Sequence, residues 1–166
     1  MKIKRIEIYQ AELPVKGGVY RLSGGRDYTS FDATFARVIA EDGPEGWGES
    51  TPFGSTYLAS HAGGTRAALD LLAPALIGMD PRHHDRRHDR MRATLLGHRD
   101  ARTALDVACW DLTAKAAGLP LCDMLGGRIP GPVPVISSIG SGTPDEMPPV
   151  CRFAICWAGV FPGRCR

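Results

Sequence analysis

Residues 97–127, GHRDARTALDVACWDLTAKAAGLPLCDMLGG, decide the fold. Ala101, Ala104, Leu105, Ala108, Cys109, Leu112 and Ala116 recur at three- and four-residue intervals, which predicts a helix over 99–117 with one apolar stripe. Gly118 follows as a C-cap, and Pro120, which cannot continue a helix, stands just beyond it. LCDML then predicts a short helical turn running into Gly126-Gly127.

Upstream of this helix the period changes twice. Residues 3–13 carry Ile3, Ile6, Ile8 and Leu13 among charged residues and predict a strand. Residues 15–27 hold four glycines and no period, and predict a long flexible loop. Residues 28–40 alternate, with Phe31, Ala33, Phe35, Arg37 and Ile39 on one face and Thr34, Ala36 and Val38 on the other. The turn EDGPEG leads into a short third strand through Trp47 and Glu49. Three consecutive strands suggest an antiparallel meander with short turns. After Pro52, Ala67, Ala68, Leu71, Leu72 and Leu76 predict a helix over 60–77. A second, very polar helix is expected over 83–96. Downstream, Val133, Val135, Ile136 and Ile139 read as a buried strand, which needs neighbours to pair its backbone groups. Strands first and helices after predict an α+β domain.

The chain has 166 residues, 43% hydrophobic and 23% charged, enough for one modest domain with its own core. A net charge of +2 suggests neither a nucleic-acid nor a membrane partner. No apolar run approaches the ~20 residues that span a bilayer. The opening MKIKRIEIYQAELP lacks an apolar h-region and a cleavage site, so a cytoplasmic location is expected. Cys109 and Cys122 sit in apolar, helix-like segments and are expected as small core residues. Cys151, Cys156 and Cys165 match no common zinc spacing and read as incidental thiols.

Candidate chemistry is thin. His84 and His88 lie one helical turn apart, but Asp85 stands where a zinc protease helix needs Glu, and no third ligand is near. Arg82, Arg86, Arg87, Arg90 and Arg92 cluster in the same segment, yet Asp85 and Asp89 interleave with them and no aromatics are present to stack bases. A solvated helix face with Asp–Arg pairs is the better account of both. IGSGTP near Gly140 and Gly142 lacks a phosphate-loop pattern and reads as a strand-to-helix loop. Glu49 has no acid/base partner and reads as structural. Tyr57, in the loop PFGSTYLASH, suits small-ligand recognition and equally suits closing the edge of the core.

GWGEST at 46–51, the 97–127 stretch and VPVISS at 133–138 together resemble the mandelate racemase/muconate lactonizing enzyme group of the enolase superfamily. The Ala-Leu-Asp-x-Ala-x-Trp-Asp-Leu helix followed by Gly-Leu-Pro and Leu-Gly-Gly is the specific part. The resemblance covers residues 1 to about 147, and the opening and the 48–64 region look closest to members acting on hydroxyproline or its betaine, as 2-epimerases or dehydratases. It implies an N-terminal capping domain over 1–127, a three-stranded antiparallel meander plus a helical bundle. Two loops, about 15–30 and 50–60, would close over the active site. Tyr57 matches a substrate-contacting tyrosine of the betaine epimerases. Residues 128–147 match the first strand and helix start of a modified (β/α)8 barrel, whose strand ends carry the chemistry. In this group a lysine after the second strand and a base opposite abstract the proton α to a carboxylate. Three carboxylates on later strands hold Mg2+, which stabilises the enediolate.

None of those residues is expected in this chain. Its last lysine is Lys115, its last acid is Glu146, and the residues after 127 are too few for a barrel of ~250 residues. We therefore expect no catalytic residue, no metal ligand and no cofactor of its own, with Mg2+ and a small-molecule substrate belonging to the full-length family, where a homo-oligomer is possible. Thr143, Pro144 and Glu146 form a helix start that Pro148-Pro149 then oppose. Residues 148–166 show no polar/apolar period, and the expectation is an aberrant, disordered tail from a lost reading frame, the alternative being a natural short form. The expected function is that of a truncated racemase, epimerase or dehydratase of proline-type amino acids, keeping the specificity cap without the chemistry. The alternative is a stand-alone binding or interaction module that holds a small zwitterion near Tyr57.

Overall fold

The computed structural model describes residues 1–22, 24–132 and 134. The elements in chain order are β1 (Ile3–Pro14), β2 (Tyr20–Leu22), β3 (Arg26–Tyr28), β4 (Ser30–Ala40), β5 (Glu45–Ser50), α1 (Ala62–Leu76), α2 (His84–Thr94), α3 (Arg99–Ala117) and the short α4 (Leu121–Met124). The chain divides into two compact units, one of Met1–Pro14 with Ser30–Ile129, the other holding Val15–Thr29. The strand expected over 133–139 (Pro134 apart), the helix start at 143–146 and the tail over 148–166 lie outside the described residues.

In the larger unit β1, β4 and β5 form an antiparallel sheet in the order β1-β4-β5. Its register aligns Ile6 with Val38 and Gly46, and Ile8 with Ala36 and Gly48, so these positions share one face. The helices cover that face. Ile3, Ala36, Val38 and Ala40 from the sheet pack with Leu69, Leu72 and Leu76 of α1, Met91 of α2, and Ala104, Leu105, Ala108, Cys109 and Leu112 of α3. Each fully buried leucine contributes about 2 kcal/mol by leaving water. The amides of Ile3 and Gly78 bond the carbonyls of Met79 and Ile3, tying the end of α1 to the start of β1.

The glycines of β5 explain how α3 reaches the sheet. A Cβ on Gly48 would stand 2.0 Å from the Ala104 carbonyl oxygen, and one on Gly46 would stand 2.1 Å from that of Ala108. Backbone therefore meets backbone, and the alanines at 104 and 108 are the helix's half of the same fit. Gly118 closes α3 in the left-handed region at φ 66°, as its position after the last turn requires.

Several details differ from the sequence expectations. Residues 15–27 hold a small antiparallel hairpin, β2 with β3, pairing Tyr20 with Tyr28 and Leu22 with Arg26. The first connection of the sheet is therefore a hairpin excursion and not a short turn. In α1 the buried stripe is Thr65, Ala68, Leu69, Leu72, Ala73 and Leu76, while Ala67 and Leu71 face solvent. Thr113 and Ala114 are buried in α3 where Ala116 is exposed. Cys109 is a core residue, but Cys122 is exposed, because α4 is a single short turn with no buried residue.

Candidate functional site

The loop that carries Tyr57 is held at both ends. On one side Ser50 leaves the sheet opposite Thr34. On the other, His61 caps α1, its Nδ1 accepting the Gly64 amide at 3.1 Å. Arg66, one turn into α1, donates to both carboxylate oxygens of Asp32 on β4 at 2.9 Å each and to the Thr34 hydroxyl at 3.2 Å. A paired fork of this kind fixes orientation as well as distance. The Arg66 guanidinium holds the Asp32 carboxyl below its ordinary range, and the half-buried pair seats α1 against the first half of β4.

Within the loop, Phe31 of β4 and Phe53 lie 5.1 Å apart between ring centres, and Phe53 meets Tyr57 at 5.1 Å with the rings at 64°. Edge-to-face contacts like the second add ~0.5–1.5 kcal/mol beyond area burial. The amides of Tyr57 and Leu58 both bond the Gly54 carbonyl at 3.1 Å, making a tight turn. This series of rings starts at the sheet and ends with Tyr57, which is 57% exposed. Tyr57 thus stands on the outside of an anchored aromatic stack, a placement suited to meeting an apolar or cationic group with its ring and a polar one with its hydroxyl.

The other candidates are engaged elsewhere. Glu49 is exposed and accepts a hydrogen bond from the Thr51 hydroxyl. The polar helix α2 is not simply a solvated face. Arg87 is 0% exposed, its Nη1 and Nη2 both donate to Asp106 Oδ1 of α3 at 3.3 Å, and His84 Nδ1 lies against the same Nη2. The His84 ring stacks on Trp110 at 3.5 Å, and His88 Nε2 lies 3.1 Å from Asp106. The two histidines are therefore committed to different partners, and they brace α2 on α3. The expected Asp–Arg pairing survives at the exposed Asp89 and Arg92, 3.9 Å apart. Burial and the nearby Arg87 charge both push the His84 pKa down.

Among the described residues no three His, Cys, Asp or Glu side chains converge to hold a metal ion. A hard cation such as Mg2+ takes several oxygen ligands, and the described residues gather no such set. No described helix is long and apolar enough to cross a membrane.

Residues 29–126 match the family model for the mandelate racemase/muconate lactonizing enzyme N-terminal domain. The chain belongs to that family. Among curated relatives of the family is a cis-3-hydroxy-L-proline dehydratase of Roseibium aggregatum, 40% identical over 147 residues, which make up 89% of this chain and 40% of the relative. A solved candidate mandelate racemase/muconate lactonizing enzyme of Roseovarius nubinhibens, in complex with magnesium, is 69% identical, with a TM-score of 0.86 over 92% of this chain and 41% of that one. A dipeptide epimerase of Enterococcus faecalis, solved with magnesium and L-Leu-L-Tyr, is 30% identical, with a TM-score of 0.71 over 76% of this chain and 35% of that one. The α+β architecture is thus that of an enolase-superfamily N-terminal domain. The chain spans about 40% of the length of the Roseibium aggregatum and Roseovarius nubinhibens relatives.

Proposed function

We propose that this chain is the specificity cap of a Mg2+-dependent racemase, epimerase or dehydratase acting on a proline-type amino acid, and that it carries no catalytic residue itself. The observation that carries the proposal is the Phe31–Phe53–Tyr57 stack, which presents an exposed tyrosine on an anchored loop. The similarity to a cis-3-hydroxy-L-proline dehydratase supports the substrate class. Reaction in such enzymes removes the proton α to a carboxylate, which needs a base and a stabiliser for the enediolate. The residues assigned here supply neither. Tyr57 would contribute contact area and one hydroxyl to a substrate whose carboxylate is held elsewhere.

Half a pocket binds weakly, because the contacts it offers barely offset the loss of ligand freedom. Calorimetry of the purified chain with hydroxyproline or proline betaine tests the proposal. The expected result is no saturable heat into the millimolar range. Saturable heat that Tyr57→Ala abolishes would instead favour a stand-alone binding module built on the capping fold.

A further inference from the structure

We propose that the outer edge of β1 pairs antiparallel with the same edge of a second copy of this chain, about a two-fold axis at Ile8, joining the two sheets into one. β1 is the outermost strand of the order β1-β4-β5. The Ala40 amide bonds the Pro44 carbonyl, on the β5 side of β4. Backbone groups alternate sides along a strand, so Arg37 and Phe35 turn theirs towards β1, where Glu7 and Tyr9 are their register partners. The Val15 amide bonds the Thr29 carbonyl and keeps the same parity. Ile6, Ile8, Gln10 and Glu12 therefore aim their amides and carbonyls away from the sheet. Among the described residues no backbone bond reaches these groups. A row of this kind is a template for a further strand.

The row has defined ends, and they set the register. At Ile3 the edge is closed, since its amide bonds the Met79 carbonyl and its carbonyl accepts the Gly78 amide. At the other end Pro14 has no amide to give. Lys4, Ile6, Ile8, Gln10 and Glu12 lie between, with Ile8 in the middle. An axis there sets Ile8 on the partner's Ile8, Ile6 on the partner's Gln10 and Lys4 on the partner's Glu12. On the other face Arg5 meets the partner's Ala11, and Glu7 meets the partner's Tyr9. Opposite charges thus pair at both ends and no like charges oppose, which is the favourable cross-strand pattern. Neighbouring axes lose this. An axis at Glu7 sets Glu7 on the partner's Glu7. An axis at Tyr9 sets Lys4 on the partner's Pro14 and leaves no charge pair. An axis at Ile6 brings the partner's Tyr9 against the closed edge at Ile3. Ile6 and Ile8 are half-buried against the core, and pairing covers more of them. One ladder with little apolar area predicts a weak, concentration-dependent dimer.

Sedimentation equilibrium of the purified chain at rising concentration tests the proposal, with amide hydrogen exchange read at a dilute and a concentrated point. The mass is expected to move from monomer towards dimer. The Ile6, Ile8 and Gln10 amides are expected to gain protection in the concentrated sample alone. Lys4→Glu and Glu12→Lys are each expected to weaken the dimer about tenfold or more, because each sets like charges opposed at both ends. Both side chains are exposed, so the changes leave the fold in place. The double variant, Lys4→Glu with Glu12→Lys, is expected to restore the parent affinity to within about threefold. A monomer at every concentration would overturn the proposal. So would protection of those amides that does not change with concentration, since another segment of the same chain would then cover the edge. A dimer that the single changes leave intact, or that the double variant fails to restore, would also overturn it.

Discussion

Gly48→Ala places one methyl group where α3 rests on the sheet. Its Cβ would lie 2.0 Å from the Ala104 carbonyl oxygen and 2.7 Å from the Ala108 amide nitrogen, inside the 3.0 Å that real Cβ atoms essentially never breach. Both obstacles are helix backbone, so no side-chain rotation relieves them. Either β5 or α3 must move by about 1 Å, and α3 carries Leu105, Cys109 and Leu112 of the core with it. Overpacking that side chains can absorb costs ~1–3 kcal/mol, and a backbone clash belongs at or above the upper end. A loss of about 3 kcal/mol would lower the melting temperature by roughly 10 °C and remove a large share of a stability of ~5–15 kcal/mol. The assay is thermal and urea unfolding followed by circular dichroism. Glu49→Ala, one residue on and exposed, is the control and is expected to stay within ~0.5 kcal/mol of the parent chain. A Gly48→Ala melting temperature within about 2 °C of the parent would refute backbone seating of α3 on β5.

Three further outcomes follow from the α2–α3 junction and the core. His84 has its folded-state pKa lowered, first by burial and then by Arg87, so the unfolded chain binds the proton more readily. Its contribution to stability is present above the ordinary histidine value of about 6.5 and is lost as pH falls below that value and through the lowered folded-state one. His84→Gln should therefore lose less stability than the parent in urea titrations taken from about pH 7.5 to 5.5. Asp106→Asn leaves the buried Arg87 guanidinium without its carboxylate and should cost about 3 kcal/mol in the same assay. Burial pushes the Cys109 thiol up to about 11, so peptide-resolved alkylation of the native chain should label Cys122 and spare Cys109.

What the sequence disclosed depended on how local each signal was. Helix α3 was legible because its period, its C-cap glycine and the proline beyond it all lie within one continuous stretch. The alternating face of β4 was legible for the same reason. The sequence places helix α1 but leaves part of its buried face misassigned, with Ala67 and Leu71 turned to solvent. In an Ala/Leu-rich helix several stripes fit the period, and only the pairing of Arg66 with Asp32 shows which one turns inward. That pair lies 34 residues apart and leaves no local mark. Arg87 looked like one more surface arginine, because its partner Asp106 stands on another helix. GWGEST is one of the stretches that carry the family resemblance, but the physical reason for its two glycines needs α3 across from them. Tyr57 reads from the sequence as a loop aromatic. The Phe31–Phe53 support beneath it depends on β4 and the loop meeting in space, which no spacing rule reports.

A chain that holds a specificity cap without the chemistry, as we propose, leaves the α-proton of a substrate in place. Incubating the purified chain with cis-3-hydroxy-L-proline and Mg2+ in D2O, and following the α-proton by NMR, tests it directly. A full α-proton signal and unchanged substrate are expected over the whole incubation. Loss of that signal to deuterium, or dehydration of the substrate, at a rate above a protein-free control would contradict it.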